Sequence, residues 1–301
     1  MKALSGKFNR RSTAEQVTEG LDLSGKVALI TGVNSGLGFE SMRVLAMRGA
    51  HVIGAARTLE KAREACSKVE GHTTAVVCEL SDLNSVAACA GKVLEIGKPL
   101  DILMCNAGIM APSELVQIDG IELQFMTNHL GHFLLVNRLL EQLIAADQGR
   151  VVMVSSGGHA HSVAGGIDFA NLSGDLSYNA WKFYGQSKLA NILYASELAR
   201  RLEGTRATSN ALHPGVIRTN LARSTKGVFS NLITILAKPF ERTVEQGAAT
   251  QCYVATQPGL STVSGRYFAD CRESKPSKDA KRRALAGQLW QISENLLAHR
   301  L

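Results

Sequence analysis

The chain has 301 residues, 45% hydrophobic and 20% charged, the balance of an ordinary soluble globular protein. No apolar run reaches the roughly 18 residues a membrane helix needs, and the start MKALSGKFNRRSTAEQ lacks the apolar core of a signal peptide. Composition thus argues against a membrane anchor and predicts a cytoplasmic protein. Net charge is +7, with basic residues gathered at the two ends (Lys2, Lys7, Arg10, Arg11; then Arg272, Lys275, Lys278, Lys281, Arg282, Arg283). With no aromatic–basic interleaving and no helix-turn-helix pattern, these read as solvated ends and not as a nucleic-acid surface. The six cysteines include no CxxC pair, which argues against a disulfide framework or a zinc site. The pairs His129/His132 and His159/His161 lack partners for a metal-ligand set, so no metal is expected.

Residues 1–24 form a polar lead-in. From residue 26 a rhythm sets in. Residues 26–31 (KVALIT) form an apolar strand followed by a glycine-rich turn and a helix over 36–48. A second strand covers 51–56, a helix 58–69, a third strand 73–78, a helix 82–96, and a fourth strand 100–105. A long helix is predicted over 121–143, a fifth strand over 150–155, a long loop over 157–183, a helix over 184–202, a sixth strand over 207–212 and a short seventh near 265–269. Alternation of this kind predicts an α/β protein: a Rossmann-type, doubly wound, mainly parallel seven-stranded sheet with helices on both faces, in a single domain over 25–270. Residues 271–301 are expected to be a basic, helical tail. The apolar stretch 220–242 suits either a core helix or a lid over an apolar substrate.

Ligands of such sheets bind beyond the carboxyl ends of the strands, and the candidate residues fall there. Gly32-Val33-Asn34-Ser35-Gly36-Leu37-Gly38 follows the first strand and opens a helix, the setting in which glycines let a pyrophosphate approach a helix N-terminus. The second strand ends Ala55-Ala56-Arg57, without the acid that would bind a ribose 2′-hydroxyl. Arg57 has the fork to hold a 2′-phosphate instead, which favours NADP(H) over NAD(H). Tyr184 and Lys188, four residues apart, share a helix face, where the ammonium would favour the ionised phenol and make it a proton donor or acceptor near neutral pH. Tyr178 and Lys182 have the same spacing.

These residues, with Asn106-Ala107-Gly108 after strand four and Ser155-Ser156 after strand five, resemble the short-chain dehydrogenase/reductase family over roughly residues 25–270. Ser12-Thr13-Ala14-Glu15-Gln16-Val17, Met126–Phe133 (MTNHLGHF), Tyr184–Asn191 (YGQSKLAN) and His213-Pro214-Gly215 resemble the subgroup of retinol dehydrogenases, WW-domain-containing oxidoreductase and Tic32-type proteins. The resemblance implies Tyr184 as general acid or base, and Lys188 as holder of the nicotinamide ribose that also lowers the Tyr184 pKa. Ser156 would bind the substrate oxygen, Ser155 being the other candidate. Asn128 would hold a water that relays protons from Lys188. Asn106, Ala107 and Gly108 would pass the adenosine ribose; Pro214, Gly215, Val216 and Thr219 would contact the nicotinamide and its phosphate. The family's aspartate after strand three, which reads the adenine amino group, is Glu79 here, in Glu79-Leu80; glutamate can accept the same hydrogen bond, and Asp82 is an alternative acid. In the family the tyrosine opens a long amphipathic helix, which selects Tyr184 over Tyr178, with 179–181 as a loop approach. The expected activity is NADP(H)-linked hydride transfer to or from a small apolar carbonyl or alcohol. Alternatives are a silent NADP(H)-sensing protein or a sugar-nucleotide epimerase. Association into a homo-oligomer through the helices near 121–143 and 184–202 is also implied.

Overall fold

The protein is described by a computed structural model covering residues 7–217 and 241–300. A short helix, α1 (Ala14–Val17), precedes the sheet; its capping box joins Thr13 and Gln16. The chain then runs β1 (Val27–Thr31), α2 (Gly36–Met47), β2 (His51–Ala56), α3 (Leu59–Ser67), β3 (Thr73–Val77), α4 (Leu83–Leu94) and β4 (Ile102–Cys105). A two-residue hairpin follows, β5 (Gln117–Ile118) and β6 (Ile121–Glu122), then α5 (Leu123–Phe125), a π turn (Met126–Leu130), α6 (Gly131–Arg138) and α7 (Leu140–Ala145). Next come β7 (Arg150–Val154), α8 (Ala180–Arg201), β8 (Thr208–His213), β9 (Val216–Ile217), β10 (Glu241–Arg242), α9 (Val244–Thr256), β11 (Tyr267–Ala269), β12 (Arg272–Glu273) and α10 (Arg283–Leu297).

The main sheet is ordered β12-β11-β8-β7-β4-β1-β2-β3. Seven strands are parallel, as expected, and the order reverses between β1 and β4, which opens a crevice at their carboxyl ends. β1 is buried along its whole length, because Val27 and Leu29 face one core and Ala28 and Ile30 the other. One core lies under α4, α6, α8 and α10, the other under α1, α2 and α9.

Three differences from the expected pattern have local causes. The sheet gains an eighth strand, β12, antiparallel to β11, because Asp270 and Cys271 both take positive φ (57° each) in a tight two-residue turn. The predicted helix over 121–143 is broken. Its first two residues pair as β6, the Glu122 carboxylate caps Phe125 N–H at 2.9 Å, residues 126–130 widen into a π turn, and Leu139 interrupts the remainder. Finally, α8 starts at Ala180 and not at Tyr184, since the Asn179 side chain accepts from Lys182 N–H at 3.0 Å. Tyr178 therefore lies outside the helix, and its pairing with Lys182 dissolves. Among the described residues no helix is long and apolar enough to cross a membrane. The stretch read as a lid or core helix lies outside the described residues except for its last two, which form β10.

Candidate active site

The cradle after β1 is shaped by contacts that exclude side chains. Gly32 and Gly36 take positive φ (76° and 59°). A Cβ on Gly38 would stand 2.3 Å from Gly32 O and 2.6 Å from Asn106 Nδ2, so the helix can approach β1 and β4 only through glycine. Asn106 Nδ2 donates to Thr31 O at 2.8 Å, and the Asn106 and Ala107 N–H groups both donate to Thr31 Oγ1 at 3.0 Å. Gln251, from α9, reaches across to Ser41 Oγ (2.7 Å) and Asn106 Oδ1 (3.3 Å). Ser35 leaves the N-terminus of α2 without a side-chain cap, and Asn34 and Ser35 are exposed. The N-terminal amides of the twelve-residue α2 thus present a positive edge to an anion, and the glycine-shaped hollow fits a dinucleotide pyrophosphate. Arg57, exposed at the end of β2, forms no ion pair among the described residues. Leu37 O accepts from Gln251 at 3.3 Å, and Leu80 is buried. The Glu79 carboxylate is turned onto Ser81, accepting from its hydroxyl at 2.9 Å and its N–H at 3.2 Å, while Asp82 caps α4 at Asn84 N–H.

Tyr184 and Lys188 are both buried one turn apart on α8. Gly185 lets that helix press against the residues after β7: a Cβ there would lie 2.8 Å from Gly158 O and 2.9 Å from Ser162 N. The two serines separate as an extended chain requires. Ser155 Oγ donates to Lys188 O at 2.7 Å, which commits it to holding α8. Ser156 Oγ accepts from Gly158 N–H at 3.1 Å and lies near the Tyr184 phenol. Burial pushes the Tyr184 pKa up, and the Ser156 hydroxyl pulls it the other way. Lys188 Nζ is 5.9 Å from the Tyr184 ring centroid and donates to Val154 O at 3.2 Å; burial lowers its pKa to about 8. Burial thus acts on both groups, raising the phenol's pKa and lowering the ammonium's.

Asn128 sits in the π turn, completely buried. Its Oδ1 accepts from Ile109 N–H at 2.8 Å, and its Nδ2 donates to Ile109 O at 3.0 Å and Ser187 Oγ at 2.9 Å. Both amide hydrogens are thus used within the chain. A Cβ on Gly108 would stand 2.9 Å from Asn128 Oδ1 and 3.2 Å from Lys188 Nζ, which puts both groups at the same glycine. Pro214 and Gly215 follow β8; Pro214 O accepts from Arg242 Nη1 at 3.2 Å, and Arg242 also pairs with Asp270. Gly215 has φ 98°, and a Cβ there would collide with the Arg242 guanidinium. Val216 is exposed in β9, and Thr219 lies outside the described residues.

The short chain dehydrogenase family matches residues 26–227. The chain belongs to it. This makes it an oxidoreductase of the NADP(H)-linked CH–OH/C=O class. It is similar to the short-chain dehydrogenase TIC 32 A, chloroplastic, of Brassica napus, at 40% identity over 98% of this chain and 96% of that one. It is 41% identical to human retinol dehydrogenase 14 over 90% of this chain and 86% of the relative. A crystal structure of an uncharacterized protein from Mycobacterium paratuberculosis superposes with a TM-score of 0.77 at 33% identity, covering 94% and 97% of the two chains.

The sequence reading missed residues that hold this site. His132 Nε2 lies 2.9 Å from Thr31 Oγ1, and its Nδ1 lies 3.1 Å from Asn128 O, joining the cradle to the π turn. Because a carbonyl only accepts, Nδ1 carries the proton, and Nε2 accepts from the Thr31 hydroxyl. The spacing of His132 four residues after Asn128 was the available signal. Gln251 and Arg242 gave none, since their partners lie far away in sequence.

Proposed function

We propose that the protein is an NADP(H)-dependent oxidoreductase that interconverts a carbonyl and an alcohol on an apolar substrate. The observation that carries this reading is the convergence of Tyr184, Ser156 and Lys188 beside the β1–α2 cradle. In this reading Arg57 holds the 2′-phosphate, the amides around Asn34–Gly38 receive the pyrophosphate, and Asn106, Ala107 and Gly108 border the adenosine ribose. Glu79 is held on Ser81, which leaves adenine recognition to the backbone around Leu80. Lys188 binds the nicotinamide ribose hydroxyls, and Pro214, Gly215, Val216 and Thr219 flank the nicotinamide. When bound, the nicotinamide supplies or accepts the hydride.

The chain's own residues do the rest. Tyr184 gives its phenolic proton to the substrate oxygen in reduction and takes it back in oxidation. Ser156 donates a hydrogen bond where negative charge grows on that oxygen. Asn128 fixes the Ile109 backbone beside Lys188. The half-exposed Trp181, whose ring stands 6.3 Å from that of Tyr184, gives an apolar approach. Purified protein should consume NADPH with long-chain or ring-bearing aldehydes and ketones, and spare short polar ones. Turnover confined to small polar carbonyls would refute the apolar assignment; no turnover on any carbonyl or alcohol would refute the reading as a whole.

A further inference from the structure

The family match ends at residue 227, and the C-terminal segment reads in sequence as a separate tail. In the structure it packs on the catalytic elements instead. Arg282 Nη1 donates to Gly165 O at 2.8 Å, within the loop between β7 and α8. Ser293, on α10, is 2.8 Å from His129 Nε2, next to Asn128 in the π turn. Trp290 stacks on Tyr194 of α8, and the Arg201 guanidinium lies over the Trp290 ring, 4.0 Å from its centroid.

A further contact of this segment, from Ser277 to His159, leads to the main chain of a site residue. Ser156 caps a 3-10 turn, Gly157–His161. Its carbonyl accepts from His159 N–H at 3.2 Å and lies 2.6 Å from His159 Nδ1. His159 Nε2 lies 3.0 Å from Ser277 N. Both partners are main-chain groups of fixed polarity. A carbonyl only accepts, so Nδ1 carries the proton; an N–H only donates, so Nε2 is bare. The ring is buried, tilted against Tyr267 at 5.3 Å between centroids. It therefore forms one relay, Ser277 N–H to His159 to Ser156 carbonyl, in a single tautomer.

We propose that His159 is a positioning residue that locks the Ser156 turn to the C-terminal segment through the main-chain N–H of Ser277. The Ser156 hydroxyl is set by the turn its own carbonyl closes, and Gly158 of that turn packs on the Tyr184 ring. Freeing the turn lets the hydroxyl drift from the substrate oxygen, and a misplacement of about 1 Å can cost about a hundredfold in rate. His159 touches neither cofactor nor substrate, so its loss should act on kcat through Ser156.

This inference rests on the role proposed for Ser156, and the test separates the two. Steady-state kinetics, NADPH affinity and melting temperature are measured for His159→Phe, His159→Asn, Ser277→Pro, Ser277→Ala and Ser156→Ala. His159→Phe removes both bonds and should lower kcat about tenfold or more, with NADPH affinity unchanged. His159→Asn keeps a donor for the Ser156 carbonyl and should recover part of that loss. Ser277→Pro deletes the N–H together with the hydroxyl and fixes the local backbone, and should lower kcat at least as far as His159→Asn, whereas Ser277→Ala loses only the hydroxyl and should resemble the unchanged protein. If Ser277→Pro does not fold, the two His159 variants decide. The inference is overturned if His159→Phe retains full kcat while Ser156→Ala loses it. It is equally overturned if the loss in His159→Phe matches a loss of folded protein, or if His159→Asn recovers nothing. If Ser156→Ala itself retains full activity, the role assigned to that serine falls first.

Discussion

Lys188 carries the sharpest electrostatic consequence of the fold. Burial lowers its pKa from an ordinary 10.5 to about 8. Below pH 8 the folded and unfolded chains both hold its proton, and the folded one bears the whole desolvation cost, about 3 kcal/mol. Between pH 8 and 10.5 the unfolded chain binds more protons than the folded one, so stability rises with pH through that window. Lys188→Met should therefore melt above the unchanged protein at pH 7, with the gap closing by pH 10 in a cofactor-free melting series. A gap independent of pH would mean that Lys188 is not buried as a cation. Arg57 offers a second test. It is exposed, with no acidic residue at the end of β2 to favour a ribose hydroxyl. Arg57→Ala should weaken NADPH binding by about tenfold to a hundredfold, the value of one charge-assisted hydrogen-bonded contact, and leave NADH binding unchanged. Equal weakening of both cofactors would remove the 2′-phosphate assignment. At this scale the sequence was legible for Tyr184, Lys188 and the glycines, because spacing and chain setting reveal them. The burial that pushes the phenol's pKa up was not legible, because spacing along a helix does not report what packs over it.

At the scale of elements, α8 is the member that gathers the site. It carries Tyr184 and Lys188, takes the Ser155 hydrogen bond, and lies against the Ser156 turn through Gly185. Gly185→Ala should destabilise the protein by about 1–3 kcal/mol, since the new methyl meets backbone that cannot swing aside. Turnover in the folded fraction should also fall. Chemical denaturation checks the first effect and kcat the second; unchanged values for both would show that the helix and turn are not in close contact. Strand and helix alternation made β1 to β4 readable to within a residue or two at each end. The π turn was not readable, because MTNHLGHF has ordinary helical spacing and the widening serves long-range bonds from Asn128 to Ile109 and Ser187. Nor was the start of α8, since the Asn179 cap competes with a tyrosine that merely sits near the helix start.

At the scale of the whole molecule, the doubly wound sheet brings five loops to one edge. Those after β1, β2 and β4 form the cradle, and those after β7 and β8 face the reacting centre. The parallel order was implicit in the βα rhythm, and the crevice between β1 and β4 follows from it. What stayed hidden was the C-terminal segment, because its contacts bridge separations of more than a hundred residues: 118 from Ser277 to His159 and 164 from Ser293 to His129. No local pattern encodes such a pairing. The central claim is that proton transfer by Tyr184 accompanies hydride transfer from NADPH to a carbonyl. The most direct test is NADPH consumption by Tyr184→Phe with the best apolar aldehyde or ketone, alongside its NADPH affinity. The account predicts a loss in kcat of at least about a hundredfold, the value of positioned acid catalysis, with cofactor affinity retained. Turnover by Tyr184→Phe near that of the unchanged protein would contradict it.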